Sequence, residues 1–424
     1  MTMPRADVVV IGAGLAGLAC AAELAEAGAS VFVAAKGMAS THWAHGGLDV
    51  AAPAGAGTSR DGVRSLAAAP GHPYGHLGSS VEAALDGHRA RLAGTAPTPL
   101  GDLDAPLVPI PTPVGALRPS AILPPAQAAA ARPWGDDGLL LIGIRGFRDA
   151  WMPYAARNLA AADWPNGPLE IRVVDVELPG LASRNNLNAR SLAVLFDDPN
   201  WRAGALRAIA AAMPRGAWRV GFPAVLGITD ALTVHRQLEE ALGARAFEMP
   251  SLPPSVPGIR LFDALRGVIL ARGGRIQVGF DVVKVDRNQR SVTAIHTEAA
   301  SRTLRLAADS FVLATGGIAG AGIRALRGHR LEERVFQLPV AAPEDGTWFS
   351  EDPMQPHPIE SVGIRVDDRL RPVNADGQPL LDNVQIIGSS LAGMRYLEQR
   401  CGDGVAIASA HLAARALAER RAAA

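Results

Sequence analysis

Three glycines, Gly12, Gly14 and Gly17, stand in G-x-G-x-x-G spacing within ADVVVIGAGLAGLACAAELAEAGASVFVAAKG, near the start of the 424-residue chain. That spacing suits a diphosphate. The first glycine permits a tight turn, the second lets the backbone approach a pyrophosphate, and the third brings helix and strand close together. A helix N-terminus placed there offers unpaired N–H groups and about half a positive charge. The context supports this reading: the β-branched run Val8 to Ile11 precedes the glycines, and an apolar stripe of Leu18, Ala22, Leu24 and Ala25 follows. Gly28 closes the helix and Ser30 to Ala34 makes a second strand. Gly12, Ala13, Gly14, Leu15, Ala16 and Gly17 are therefore expected to line a dinucleotide. The second strand ends in AAKG, with no Asp or Glu to take ribose hydroxyls, which disfavours a carboxylate-bound NAD.

The next segment, STHWAHGGLDVAAPAG, is rich in groups that could reach a ligand. Ser40, Thr41 and His45 can hydrogen-bond phosphate or a ring edge. Gly46 and Gly47 would let the backbone lie against a ring system, and Asp49 could anchor the loop. Lys36, beside Gly37, reads either as a cofactor contact or as a solvated loop lysine. His42 and Trp43 read either as ring contacts or as packed loop residues. Three later segments repeat the strand-then-glycine theme. FVLATGG carries Thr315, Gly316 and Gly317, and DNVQIIGSSLAG carries Gly388 and Gly393. CGDGVAIASAHLAARALAER opens a helix with Gly402, Gly404 and Val405 at its start.

Candidates for proton transfer are His72 and Tyr74 in HPY and His357 in PMQPHPIES. His72 and Tyr74 could act as a proton-donor pair near a hydroxyl substrate; the alternative is that His72 caps a helix while Tyr74 packs. Arg118, Arg145 and Arg148 have the fork geometry for a phosphate dianion, although surface ion pairing is the commoner use of arginine. Arg184, Asn185 and Asn186 read as a helix start with asparagine capping.

The elements that must position these residues form an α/β protein: a Rossmann-like FAD/NAD(P)-binding domain with an inserted α+β domain. The first is expected over 1–95 and 258–424, the second over 96–257. GIRLFDALRGVILARGG predicts a helix ended by Gly273 and Gly274. RIQVGFDVVKVDR, SVTAIHTEA and LRLAADSFVLATGG predict an antiparallel excursion returning to a buried strand. LLLIGIRGF and WRVGFPAVLG are strand signals within the insert, and TPVGALRPSAILPPAQAAAARPWG reads as an irregular arm.

Lys plus Arg equals Asp plus Glu, 41 each, which leaves no electrostatic footprint for nucleic acid. Cys20 and Cys401 are the only cysteines, too few for a disulfide framework, a four-cysteine zinc site or an ordinary iron–sulfur cluster. No metal site is expected, and a reducing compartment is. The apolar run from Val8 to Ala29 is interrupted by Glu23 and Glu26 and by turn glycines, so no membrane span is expected.

AAKG followed by STHWAHGG resembles the N-terminal region of fumarate reductase, succinate dehydrogenase and L-aspartate oxidase flavoproteins. A closer resemblance is to the family formed by the B subunits of anaerobic glycerol-3-phosphate dehydrogenase. It runs through THWAHGGLDV, PGHPYGHLG, PTPVGALRPS, LIGIRGFRDA, DVELPGLASRNN, MPSLPPSVPGIRL, VLATGG and IIGSSLAGMRYLEQRCGDGVAIASAHLAA, in order over nearly the whole chain. The resemblance implies a flavin-dependent subunit of a complex that oxidises sn-glycerol 3-phosphate to dihydroxyacetone phosphate and reduces quinone. It implies two partners, a second flavoprotein and an iron–sulfur membrane-anchoring subunit, and hence a cytoplasmic chain peripheral to the inner face of the membrane. The phosphate loop favours FAD; the resemblance also admits FMN. Where flavoproteins with covalent flavin place the linking histidine, this chain has Ser40, so dissociable flavin is expected. The segment Gly402 to Val405 would address the flavin's pyrimidine end. Two alternatives stand beside this function: an electron relay without its own substrate site, and a fumarate reductase or L-aspartate oxidase-like oxidoreductase.

Overall fold

A computed structural model describes residues 5–132, 134, 137–181, 187–250, 253–299, 302–328, 330–343 and 346–422. The chain divides into two compact units. The first comprises Met1–Ser40, Asp49–Arg91 and Leu265–Ala424; the second comprises Thr41–Leu48 and Leu92–Ala264. The short stretch from Thr41 to Leu48, read from sequence as part of the flavin domain, thus belongs with the inserted region. Its backbone is tied there: Leu48 N–H donates to Ile122 O at 2.9 Å, and Ser255 N–H to His42 O at 2.8 Å.

The first unit is built around Ala6–Ile11 and Val31–Ala35, whose nearly continuous apolar runs suit a sheet covered on both faces. Arg275–Val278, Val31–Ala35, Ala6–Ile11, Arg302–Leu313 and Val384–Ile386 lie side by side and parallel. Arg302–Leu313 serves twice. Its first half pairs antiparallel with Ser291–Ala299, which pairs with Asp281–Asn288; its second half runs beside Ala6–Ile11, from Ala6 opposite Ala308 to Ile11 opposite Leu313. The expected excursion and return are therefore one long strand shared by two pairings.

Helix Leu15–Glu26 is buried almost all round, not only along the stripe seen in the sequence. The reason is a second cover: the C-terminal helix Gly402–Ala422 packs on it. His411 Nδ1 lies 2.7 Å from Glu23, and the Arg421 guanidinium donates to Gly28 O and Ala27 O at 2.9 and 2.7 Å, satisfying carbonyls at the end of the earlier helix. Arg91 adds ion pairs to Glu23 and Glu26 at 3.5 and 2.9 Å. Among the described residues, no helix is long and apolar enough to cross a membrane.

The second unit centres on a parallel sheet in the order Ile171–Val176, Gly138–Ile144, Trp218–Pro223, Ala246–Met249. Helices Met152–Ala160, Ala189–Asp197, Pro199–Ala211 and Ala231–Leu242 intervene along the chain, so this sheet is of α/β type. An antiparallel ribbon, Val108–Pro111 with Leu117–Ser120, accompanies it. The stretch read as an irregular arm supplies one strand of that ribbon and the 3-10 helix Pro125–Ala131. Helix Ala189–Asp197 is capped by Asn188, whose side chain accepts from Ser191 N–H at 2.8 Å. Arg184, Asn185 and Asn186 lie outside the described residues.

A buried ion pair joins the last strand of this sheet to helix Val256–Ala271. Arg260 grips Glu248 through two bonds of 2.6 and 2.9 Å and donates to Gly227 O at 2.8 Å, while Glu248 also accepts from Leu226 N–H at 2.8 Å. Both side chains are almost fully buried.

Candidate cofactor site

The phosphate loop leaves the C-terminal end of strand Ala6–Ile11 and enters helix Leu15–Glu26, where open α/β sheets bind ligands. Its three glycines are needed for different reasons. Gly12 has φ 115°, and a Cβ there would stand 2.2 Å from Ala314 O. At Gly17 a Cβ would stand 2.1 Å from Gly12 O. Both are dictated by the protein itself. Gly14 differs: it is the N-cap, no side chain caps it, its φ is −75°, and a Cβ would meet nothing closer than Ala39 Cβ at 3.6 Å. The chain's own packing does not demand glycine at this half-buried position, where an added Cβ would make only an ordinary contact.

The other strand-end segments of the first unit converge on this loop. Gly12 abuts Ala314 and Thr315. A Cβ on Gly388 would meet Ala16 at 2.7 Å, and one on Gly317 would meet Ser389 O at 2.5 Å. Gly317 N–H donates weakly to Ser389 Oγ at 3.4 Å. Gly316, with φ 81°, turns the chain between them. The Thr315 hydroxyl is buried without a hydrogen-bond partner among the described residues. That hydroxyl lies against Gly322, where an added Cβ would stand 2.6 Å from it.

Other expected contacts are engaged within the chain. Lys36 is exposed and pairs with Asp281 at 2.7 Å, a carboxylate also held by Arg334 at 3.2 Å. Despite a burial effect in the opposite direction, these cations hold the Asp281 carboxyl below its usual range. Gly37 and Ser40 are exposed. In the second unit, a Cβ on Gly46 would meet Pro257 at 2.7 Å and Gln127 at 2.8 Å, and one on Gly47 would meet Leu123 at 2.8 Å. Gln127 Nε2 donates to His45 O at 2.7 Å, and His45 Nδ1 accepts from Gly47 N–H at 3.0 Å. Thr41 is buried, with its hydroxyl unpartnered among the described residues. Packing alone therefore explains the Gly-Gly pair. At the start of helix Gly402–Ala422, the amides of Asp403 and Gly404 both donate to Asp49 O, at 3.1 and 3.0 Å, and Val405 N–H donates to Cys401 O at 2.9 Å. Asp49 thus anchors its loop through its main chain.

The HPY histidine and tyrosine are interior groups. Tyr74 donates its phenol proton to Val50 O, and its position is what makes a Cβ at Gly404 impossible. His72 Nδ1 accepts from Tyr74 N–H at 3.1 Å, which leaves the proton on Nε2, 3.8 Å from Cys401 Sγ. Burial holds the His72 imidazolium down, to a pKa of about 4, against the opposing effect of a hydrogen bond to Gln399. Burial likewise raises the Tyr74 phenol well above its usual value and pushes the Cys401 thiol up to about 12. The cluster is neutral and closed at pH 7, and it braces the Cys401 turn against the Gly71–Tyr74 loop. His357 is committed to its own loop: Nδ1 accepts from Ser350 N–H at 3.1 Å and Nε2 faces Pro353 O at 3.3 Å.

His88 sits fully buried in helix Val81–Arg91 with neither ring nitrogen hydrogen-bonded among the described residues, and burial with nearby Arg91 drives its pKa to about 3. Both histidines bind protons more readily in the unfolded chain, near about 6.5. The stability they permit is whole above that value and is lost as pH falls toward their folded pKa values. The first unit should melt at a constant temperature from pH 8 to 7 and progressively lower below about 6.5. His88→Leu should flatten part of that decline; a variant that tracks the native profile would refute the assignment.

The first unit also contains a cavity of about 600 Å³. Of the residues expected from sequence to touch cofactor, Gly393 lines it, packed so closely on Gly71 that a Cβ would stand 2.0 Å from Gly71 O. Arg365, Arg395, His76 and Asn374 also line this cavity, and none of them was singled out from the sequence as a site residue. The available signals were that His76 lies in PGHPYGHLG, two positions after HPY, and Arg395 in IIGSSLAGMRYLEQR.

Residues 7–405 match the FAD binding domain family. The chain is 34% identical to the probable B subunit of anaerobic glycerol-3-phosphate dehydrogenase from Halobacterium salinarum, covering 98% of each chain. It is 32% identical to the B subunit of anaerobic glycerol-3-phosphate dehydrogenase from Pectobacterium carotovorum, over 98% of this chain and 99% of the relative. The chain belongs to this B-subunit family. Among solved structures, a 3-ketosteroid delta1-dehydrogenase from Sterolibacterium denitrificans aligns with 99% of this chain and 100% of its own at 11% identity, with a TM-score of 0.43.

The protein is thus a flavoprotein of the FAD-binding class, and its cofactor is FAD. The first unit's residues fit the group. A helix N-terminus without a side-chain cap, at a glycine that the chain's own packing does not require, matches a diphosphate.

Proposed function

We propose that this chain is the FAD-bearing subunit of an anaerobic glycerol-3-phosphate dehydrogenase, a complex oxidising sn-glycerol 3-phosphate to dihydroxyacetone phosphate and delivering electrons to quinone. Similarity over nearly the full length of the B-subunit relatives supports the assignment. The observation that carries the chain's part in it is Gly14, a glycine the protein's own packing does not require, at the mouth of a buried helix.

Bound FAD would supply the acceptor for the two electrons of the alcohol. The chain's residues supply position and shelter. Amides at Gly14 and Leu15 would hold the diphosphate, and Gly12 and Gly17 bring helix and strand close enough for this. The neutral His72–Cys401–Tyr74 cluster keeps water and mobile protons from the interior beside the Cys401 turn. Cys20 and Cys401 are both buried and inert, so an iron–sulfur relay belongs to another chain. The partners in this reading are a second flavoprotein and an iron–sulfur subunit. That second partner would hold this cytoplasmic chain at the inner face of the membrane.

A second reading, an electron relay whose companion flavoprotein holds the substrate, is favoured by the commitment of His72 and Tyr74 to internal bonds. Extracting and weighing the flavin tests the shared premise: FAD in near-stoichiometric amount is expected, and a folded, colourless chain would overturn both readings. Anaerobic bleaching by glycerol 3-phosphate without the partner supports dehydrogenation here; bleaching only with the partner supports the relay.

A further inference from the structure

The geometry points to a binding site for the phosphate monoester of a small polyol in the cavity of the first unit lined by Arg365, Arg395 and His76. The cavity's volume, about 600 Å³, is in the usual range for small-molecule sites. Among the described residues its lining contains these three basic groups and no aspartate or glutamate. It contains no aromatic side chain other than the imidazole of His76, so no large aromatic face is there to stack a nucleobase or a flavin ring. With three basic groups and no acidic one in its described lining, the site calls for an anion.

The polar groups are matched to an acceptor-rich ligand. Asn374 uses its Oδ1 to accept from Asp376 N–H and Gln378 N–H, at 3.0 and 2.8 Å, which leaves its amide NH2 as a donor. Among the described residues the Arg365 guanidinium makes no ion pair or hydrogen bond. Arg395 is held, among the described residues, only by Glu398, on its own chain turn, at 3.2 Å with both side chains partly exposed. His76 pairs with Asp368 at 2.8 Å, but that carboxylate is 92% exposed, so the pair is weak and water-screened. Guanidinium forks suit phosphate oxygens, and the backbone bearing Arg365 is held in place: Val373 N–H donates to Arg365 O at 3.0 Å. The Ser361 hydroxyl donates to Pro358 O at 2.8 Å, leaving its lone pairs to accept from a ligand hydroxyl. Phosphate at the arginines and hydroxyl at Ser361 is the pattern of a polyol phosphate.

This deepens the function proposed above, and the identity of the polyol as glycerol rests on it. Calorimetric titration of the purified full-length chain tests the site, with sn-glycerol 3-phosphate, dihydroxyacetone phosphate, inorganic phosphate and glycerol as probes. Saturable binding of the two esters is expected, with none for glycerol. Arg365→Gln should weaken ester binding about tenfold, the loss of one charge-assisted contact, while Arg324→Gln on an exposed hairpin leaves it unchanged. Ala392→Phe, which fills the cavity and removes no charge, should abolish it. Native-like binding by Arg365→Gln and Ala392→Phe, no binding of either ester by the native chain, or inorganic phosphate binding as tightly as the esters would each overturn the site. Flavin content read on the same samples keeps the two ideas apart. Yellow protein that binds no ester sinks this site alone, and colourless protein that binds ester sinks the flavin assignment alone.

Discussion

Gly14→Ala is expected to give a folded chain that has largely lost FAD, and Gly12→Ala a chain that fails to fold properly. The two residues share a motif but not a physical role. At Gly14 the backbone is ordinary for any residue and an added methyl group meets only Ala39 at 3.6 Å. The methyl group would instead occupy the space through which a diphosphate reaches the helix amides. Losing that contact costs about 2 kcal/mol, roughly thirtyfold in affinity. At Gly12 the φ of 115° and the 2.2 Å approach to Ala314 O force two parallel strands apart. The conformation alone costs about 1–3 kcal/mol, before the clash is counted. Flavin-to-protein ratio after gel filtration, read beside the melting temperature, separates the outcomes. A Gly14→Ala chain that retains FAD like the native protein would remove the phosphate loop from the site.

In the second unit, Arg260→Leu should be among the most damaging single changes, costing about 3–5 kcal/mol because it leaves the Glu248 carboxylate buried without its partner. Glu248 is 1% exposed, and one remaining bond, from Leu226 N–H, cannot replace a bidentate guanidinium. The Gly227 carbonyl loses its donor as well. For a unit of this size the loss corresponds to a fall of roughly 10 °C in its melting transition. Removing both charges in Glu248→Leu with Arg260→Leu should cost less than the arginine change alone, since no uncompensated ion remains. Calorimetric scans of native, single and double variants decide it, and a single variant melting within about 2 °C of native would show the pair to be dispensable.

Nothing in the sequence marks Glu248 and Arg260 as a pair. The residues lie 12 positions apart, on a strand and a helix, and only the folded unit brings them within 2.6 Å. The same holds at the candidate site. The glycines of the phosphate loop were legible because a tight turn between strand and helix is a local object. Gly46, Gly47 and Gly404 were read as ligand-facing by that same logic. In the fold, Gln127, Pro257, Leu123 and Tyr74 stand where their side chains would be. His72 and Tyr74 looked like a proton-transfer pair, but their partners are Val50, Gln399 and Cys401, and Cys401 lies 329 positions from His72.

The sequence by itself determined the elements whose causes are local: the strand, glycine turn and helix of the phosphate loop, the antiparallel excursion into Arg302–Leu313, and the incapacity of two cysteines to hold a cluster. Backbone conformation and hydrophobic period act between near neighbours, so they can be read in order along the chain. Only the tertiary structure decided which polar groups are already satisfied and which glycines face protein instead of open space. It also decided that Arg365, Arg395 and His76 line one cavity. Satisfaction and enclosure depend on residues hundreds of positions away, and no local spacing encodes them.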